Sequence, residues 1–242
     1  MLEDTIVEED IHPQYVCAAL TDTGRLRSCN QDALLDLTRS GLWVVADGMG
    51  GYRDGDVASR MVCEALSDLE PAATFEATID EIRQRTTNVN QQLHRAAVRP
   101  VDPIVSGTTV AMLLTRRTTC AVVWAGDSRI YRFRQRRLMQ MTTDHTWAAE
   151  LNLQQGYDEA DHSITRAVGG EETLLLDVRR DRVRLGDRYL ICSDGLTREL
   201  NDERLAQLLA AGDVHDCAAA LIDETLTAGA RDNVTVIVVD AQ

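Results

Sequence analysis

Four aspartates stand where apolar, strand-like runs end or begin. Asp47 closes the run LWVVA and precedes Gly48, and Asp194 follows YLICS and precedes Gly195. Asp127 sits in WAGDSR between two such runs, and Asp232 sits in GARDN just before the last one. A carboxylate at a strand end projects into a shared cleft while the strand itself stays apolar. Four carboxylates brought together as bare anions repel one another and raise one another's pKa values. Divalent cations relieve that repulsion, and hard oxygen ligands suit magnesium and manganese. An Asp-Gly pair is also a common turn, so each aspartate taken alone reads first as a turn residue. It is the set of four, each beside an apolar strand, that points to metal chemistry.

The elements that must position these residues follow from periodicity. Strands are predicted at 15–20, 33–37, 41–47, 107–115, 119–125, 129–133, 137–141, 174–183, 188–193 and 233–240. Helices are predicted at 54–69, from a capping-box pair Thr78 and Glu81 up to Pro100, at 202–211 with Asn201 as cap, and at 214–228, with Gly212 and Gly229 as stops. Helices therefore arrive in pairs between blocks of strands rather than singly after each strand. That excludes a doubly wound parallel sheet and predicts an α+β arrangement of antiparallel sheets with helix pairs outside. No repeat or linker interrupts the pattern, so one domain is expected over 14–242, after an acidic, solvated tail over 1–13.

Composition narrows the chemistry further. The chain has 242 residues and a formal net charge of −14, which disfavours nucleic acid because an acidic surface repels the phosphate backbone. Every one of the 25 basic residues is arginine. Schiff-base chemistry, a phosphate-loop lysine and a kinase ATP-lysine are thereby excluded. The six cysteines form no Cys-x-x-Cys pair and are read as reduced, space-filling thiols, which implies a reducing cytoplasm. The acidic N-terminus lacks the apolar stretch of a signal peptide, and no apolar run is long enough to span a membrane. None of the five histidines is paired at metal-ligand spacing; His145 in TTDHTW is the one to watch.

Five blocks, in order, resemble the metal-dependent protein phosphatases of type 2C: GRLRSCNQD at 24–32, VVADGMGG at 44–51, SGTTVAMLL at 106–114, WAGDSRIYR at 124–132, and ICSDGLTREL at 191–200 followed by ARDNVTVIVV at 230–239. The resemblance runs from about residue 14 to the C-terminus. It implies a four-layer αββα sandwich, with two antiparallel sheets facing each other and a helix pair on each outer face. It also implies two to three Mn2+ or Mg2+ ions. By carry-over, Asp47 bridges two metals and the Gly48 carbonyl binds one of them. Asp194 and Asp232 hold the other, Asp32 acts through metal water, and Asp127 with Asp194 holds a third ion. Arg27, five residues before Asp32, matches the family's phosphate-binding arginine; Asn233 is expected to orient Asp232 or its metal water. Where animal members often carry a histidine after the Asp-Gly pair as a proposed general acid, this chain has Met49, whose thioether has no proton to give. Bacterial members commonly share that methionine.

The expected activity is therefore hydrolysis of phosphoserine and phosphothreonine in a phosphorylated protein substrate, by a monomeric bacterial enzyme opposing a Ser/Thr kinase. A compact chain of this kind resembles phosphatases encoded with type VI secretion clusters, which oppose a kinase acting on a forkhead-associated scaffold protein. Two alternatives stand beside this reading. One is a phosphatase of another regulatory phosphoprotein, such as an anti-sigma-factor antagonist; the other is a pseudophosphatase that keeps the fold as a binding module. A segment at about 144–165 resembles the family's variable flap beside the active site.

Overall fold

A computed structural model describes residues 12–49, 55–98, 106–151 and 163–242. Two antiparallel sheets form its centre. The first runs in the order β1 (Tyr15–Asp22), β11 (Val234–Ala241), β10 (Arg188–Cys192), β7 (Arg129–Arg134) and β8 (Arg137–Gln140). The second runs β2 (Asp32–Leu37), β3 (Leu42–Met49), β5 (Val110–Arg116), β6 (Thr119–Ala125) and β9 (Asp177–Arg182), with β4 (Gly107–Thr108) joined to β3.

The apolar strand runs are explained by burial on both faces. Along β3, Leu42, Val44 and Ala46 face outward onto α1 (Gly55–Leu66) and α2 (Phe75–Ala97). Trp43 and Val45 alternate with them and face the opposing sheet, where they meet Ile130, Tyr189, Ile191, Ile237 and Val239. On the far side, Leu190, Cys192, Val236 and Val238 pack under α5 (Asp202–Leu209) and α6 (Val214–Ala228) through Leu205, Leu208, Cys217 and Leu221. Three apolar clusters thus separate four layers, and a strand covered on both faces loses its alternating pattern. The αββα sandwich is the architecture expected.

Several boundaries differ from the sequence expectation. The cap of α2 is Thr74, whose side chain accepts from the Ala77 N–H. Thr78 lies one turn inside, buried, with its hydroxyl donating to the Thr74 carbonyl. The strand expected at 107–115 breaks at Thr109: its N–H still donates to the Asp47 carbonyl opposite at 2.9 Å, but the Asp47 N–H turns to the Thr109 hydroxyl instead of returning the ladder bond to the Thr109 carbonyl. The strand expected at 174–183 shortens to β9. A one-turn helix, α3 (Trp147–Glu150), lies in the polar stretch 144–163, where short helices and loop are expected, whereas α4 (Asp194–Thr197) is too short to leave a periodic signature. Asn201 caps α5 as expected, accepting from the Arg204 N–H. Most of the N-terminal tail, and 152–162 of the flap segment, lie outside the described residues. None of the six cysteines is in a disulfide.

Candidate metal centre

The antiparallel pairing of β2 with β3 sets Asp32, the first residue of β2, directly opposite Asp47, two residues before the end of β3, so both carboxylates reach the same sheet end. From the other sheet, Asp194 follows β10 as the first residue of α4, and Asp232 stands two residues before β11. Asp127 comes from the turn between β6 and β7. The tight junctions need their glycines: a Cβ at Gly48 would collide with the carbonyls of Gly55 and Gln31, and one at Gly195 with the carbonyl of Asn233.

Hydroxyls anchor the carboxylate-bearing backbone. The Thr108 and Thr109 segment clamps Asp47: Thr108 Oγ1 donates to the Asp47 carbonyl at 2.9 Å, and the Asp47 N–H donates to Thr109 Oγ1 at 3.2 Å. Thr109 Oγ1 is also 2.6 Å from Ser128 Oγ, which ties Asp47 to the turn carrying Asp127. Asp32 Oδ2 accepts from Ser193 Oγ at 2.8 Å and from Thr235 Oγ1 at 2.7 Å.

The second oxygens are different. Asp32 Oδ1, Asp127 Oδ1 and Asp194 Oδ1 are buried and have no hydrogen-bond partner among the described residues. Burial, reinforced by the neighbouring carboxylates, pushes Asp32 up to about 6 and Asp127 up to about 7. Asp47 is raised well above the ordinary carboxylate range by burial and by Asp32, Asp194, Asp127 and Asp232 together. Asp194 is raised by burial, against the opposing pull of Arg198. Buried carboxylates that lack donors are costly unless a cation meets them. The all-oxygen donor set fits a hard divalent ion. No three of these side chains close into a ready-made cage among the described residues. Asp127, Asp194 and Asp232 line a cleft instead, with Asp32 and Asp47 beside them at the same sheet end, and two arginines engage two of the lining carboxylates: Arg27 Nη2 reaches Asp232 Oδ2 at 2.7 Å, and Arg198 Nη2 reaches Asp194 Oδ2 at 2.5 Å.

The cleft encloses about 680 Å³ and is lined by Arg27, Asp127, Arg129, Asp194, Arg198 and Asp232, among others. The loop carrying Arg27 is fastened by Asn233. Its Oδ1 accepts from the Gln31 N–H, and its Nδ2 donates to the carbonyls of Thr23 and Cys29. The Asn233 backbone N–H donates to Asp232 Oδ1 at 2.9 Å, so one residue sets both the arginine loop and the last carboxylate.

Two side chains near the flap are tied up elsewhere. His145 is 4% exposed and stacks on Trp124. Its Nδ1 accepts from the Gly126 N–H at 3.1 Å, so Nε2 carries the proton and faces Asp177 at 3.3 Å. Burial lowers its pKa, and the ring is a neutral brace for the turn that holds Asp127. Asp144 is locked in a bidentate pair with Arg129. Met49 ends β3 with Gly107 opposite it and does not line the cleft.

All of the sequence-nominated residues, Arg27, Asp32, Asp47, Gly48, Asp127, Asp194, Asp232 and Asn233, fall at this one end of the sandwich. Sequence reasoning missed Ser193, Thr235 and Arg198. Only Arg198 left a signal, its four-residue spacing from Asp194, which puts both on one helix face.

Residues 25–226 match the family described as Protein phosphatase 2C. The serine/threonine protein phosphatase PstP of Mycobacterium tuberculosis is 35% identical over 237 residues, covering 92% of this chain and 44% of that protein. The chain thus spans less than half the length of that relative. The serine/threonine phosphatase stp of Listeria monocytogenes is 31% identical over 236 residues, covering 91% of this chain and 93% of that one. Among solved structures, PppA, a key regulatory component of T6SS in Pseudomonas aeruginosa, superposes with a TM-score of 0.89 at 35% identity, over 96% of this chain and 99% of that one. The catalytic domain of PstP in complex with two manganese ions superposes with a TM-score of 0.82 at 34% identity, over 93% and 97% of the two chains.

Proposed function

The chain belongs to the protein phosphatase 2C family, and on that premise we propose that it hydrolyses phosphoserine and phosphothreonine in phosphoprotein substrates, using two to three Mn2+ or Mg2+ ions. The observation that carries this reading is the trio of buried carboxylate oxygens on Asp32, Asp127 and Asp194, unpartnered among the described residues, at the end of the sandwich whose cleft also presents Arg27. Asp47 would bridge two ions with help from the Gly48 carbonyl, Asp194 and Asp232 would hold the second, Asp32 would act through water, and Asp127 with Asp194 would take a third. Bound there, the ions supply Lewis-acid activation of water and of the phosphoryl group.

The chain's own residues do the rest. Arg27 offers a planar, permanently charged fork to the phosphoryl oxygens. Asn233 keeps that fork in place by holding its loop. Thr108 and Thr109 fix the backbone from which Asp47 projects. None of Met49, His145 and Asp144 is placed to donate a proton to the leaving oxygen: the first has none, the second is a neutral brace, and the third is neutralised by Arg129. The leaving oxygen then takes its proton from water or departs as the anion.

The same proposal takes 14–242 as a single catalytic domain after an acidic tail, acting as a monomer in the cytoplasm against a Ser/Thr kinase. Among the described residues no helix is long and apolar enough to cross a membrane. Similarity to PppA supports a place in type VI secretion control; a phosphorylated forkhead-associated scaffold is the substrate that the sequence resemblance implies. Incubation with a phosphothreonine peptide and manganese is expected to release inorganic phosphate, and EDTA to stop the release. Failure on phosphoserine and phosphothreonine peptides and proteins alike, at every manganese concentration, would refute the activity. Preference for a phosphorylated anti-sigma-factor antagonist over the scaffold would redirect the pathway alone.

A further inference from the structure

Two guanidinium groups meet at one carboxylate oxygen in the cleft. Arg27 Nη2 lies 2.7 Å from Asp232 Oδ2, and Arg198 Nη1 lies 3.5 Å from the same atom. They come from different elements, the loop between β1 and β2 and the residue that follows α4. Their side chains are exposed to nearly the same degree, 52% and 49%, and both line the cleft. The cleft's other two arginines are committed to carboxylates outside the metal centre: Arg129 to Asp144 and Arg231 to Glu199.

We infer that Arg198 is a second phosphate-binding residue, acting with Arg27 on the phosphoryl oxygens of the substrate; this rests on the phosphatase reading. An arginine cannot ligate a cation, having donors and no acceptor. Once Asp194 and Asp232 serve divalent ions, their charge is taken up by harder and more highly charged partners. Two guanidinium groups then stand side by side in the cleft without a counter-anion of their own. A phosphoryl group brings negative charge and several acceptor oxygens to that spot. Guanidinium matches it in planarity and keeps its charge at every working pH. The four-residue spacing from Asp194 keeps Arg198 on the face of α4 that carries Asp194, beside Arg27 in the cleft.

Inorganic phosphate binding to the manganese-loaded protein tests this, followed by calorimetry alongside a manganese titration of each variant. Arg198→Ala is expected to weaken phosphate binding about tenfold, the scale of one charge-assisted hydrogen bond. Its KM should rise by a similar factor for p-nitrophenyl phosphate and for a phosphothreonine peptide. Manganese affinity should stay level or tighten, since a positive charge has left the carboxylates. Arg198→Lys, which keeps the charge without the fork, should fall between wild type and Arg198→Ala, and it preserves the test if the alanine variant folds poorly. Unchanged phosphate affinity in both variants overturns the inference. So does a parallel fall in manganese affinity, which would make Arg198 a positioning residue for Asp194, or a KM effect confined to the peptide, which would make it a reader of flanking residues. Wild-type protein that neither binds phosphate nor turns over substrate would instead sink the phosphatase reading itself.

Discussion

Asp187 and Asp127 are the same residue type at nearly the same depth, 1% and 6% exposed, at opposite ends of the sandwich. Asp187 precedes β10 and is fully satisfied: it accepts from Arg134 Nε at 2.5 Å and Nη2 at 2.6 Å, from the Arg184 N–H at 2.8 Å and from the Tyr189 hydroxyl at 3.3 Å. Asp240 at that same end is likewise paired with Arg188 through two hydrogen bonds. Asp127 precedes β7 at the other end and keeps a buried oxygen without a partner among the described residues, and its pKa is pushed up to about 7. Burial alone therefore does not mark a functional carboxylate. What separates the two ends is whether the fold supplies the counter-charge itself or leaves it to a ligand.

The largest effect is expected at the satisfied end. Asp187→Ala leaves Arg134, 17% exposed, as a charge without its partner, and should cost about 3–5 kcal/mol of stability in urea unfolding. Asp127→Asn at the other end should leave the metal-free protein at least as stable as wild type. Equal destabilisation by the two changes would erase the distinction.

Catalysis should show the reverse pattern. Asp47→Asn is expected to lower kcat at least ~10²-fold, the scale of a key electrostatic group, with circular dichroism unchanged. Near-normal turnover in that folded variant would remove Asp47 from the bridge.

A smaller effect concerns pH. Asp127 and Asp32 titrate near 7 and 6 in the folded protein and in the ordinary range, 3.8, when unfolded. Between those limits the folded state holds more protons, so these groups make the metal-free protein less stable as pH rises from about 4 to about 7. His145, whose pKa is lowered by burial, acts in the opposite sense as pH falls. The clean observable is therefore the difference between wild type and Asp127→Asn in EDTA. Wild-type stability relative to the variant should decline with rising pH across that window; a flat difference would mean that Asp127 is ionised in the folded state like any surface carboxylate.

The smallest expected effect is none at all. If no side chain protonates the leaving oxygen, kcat over a series of aryl phosphates should depend steeply on leaving-group pKa, and His145→Ala should leave that slope unaltered. A shallow slope that steepens in His145→Ala would show that the ring serves as an acid.

Much of this was legible in the chain because burial on both faces turns strands such as Leu42–Met49 and Val234–Ala241 into continuous apolar runs, with an aspartate marking where each meets the cleft. The helix pairs showed in their spacing, and Asn201 as a cap in its position. What escaped was set by contacts between distant residues. Thr74 rather than Thr78 caps α2 because Phe75 already packs against the core there, so the helix begins a turn earlier. The break at Thr109 depends on the Asp47 N–H, 62 residues away, which takes the Thr109 hydroxyl as its acceptor. The hydroxyls that hold Asp32 come from 161 and 203 residues along the chain, with no local pattern to announce them.

The central claim is that the unpaired carboxylates are a cation site, and manganese titration by calorimetry tests it most directly. Wild-type protein should take up at least two ions per chain, with protons released at pH 6 as Asp127 and Asp32 ionise. Asp47→Asn and Asp194→Asn should each lose that uptake while remaining folded. No manganese uptake by wild type, or uptake undiminished in both variants, would contradict the account.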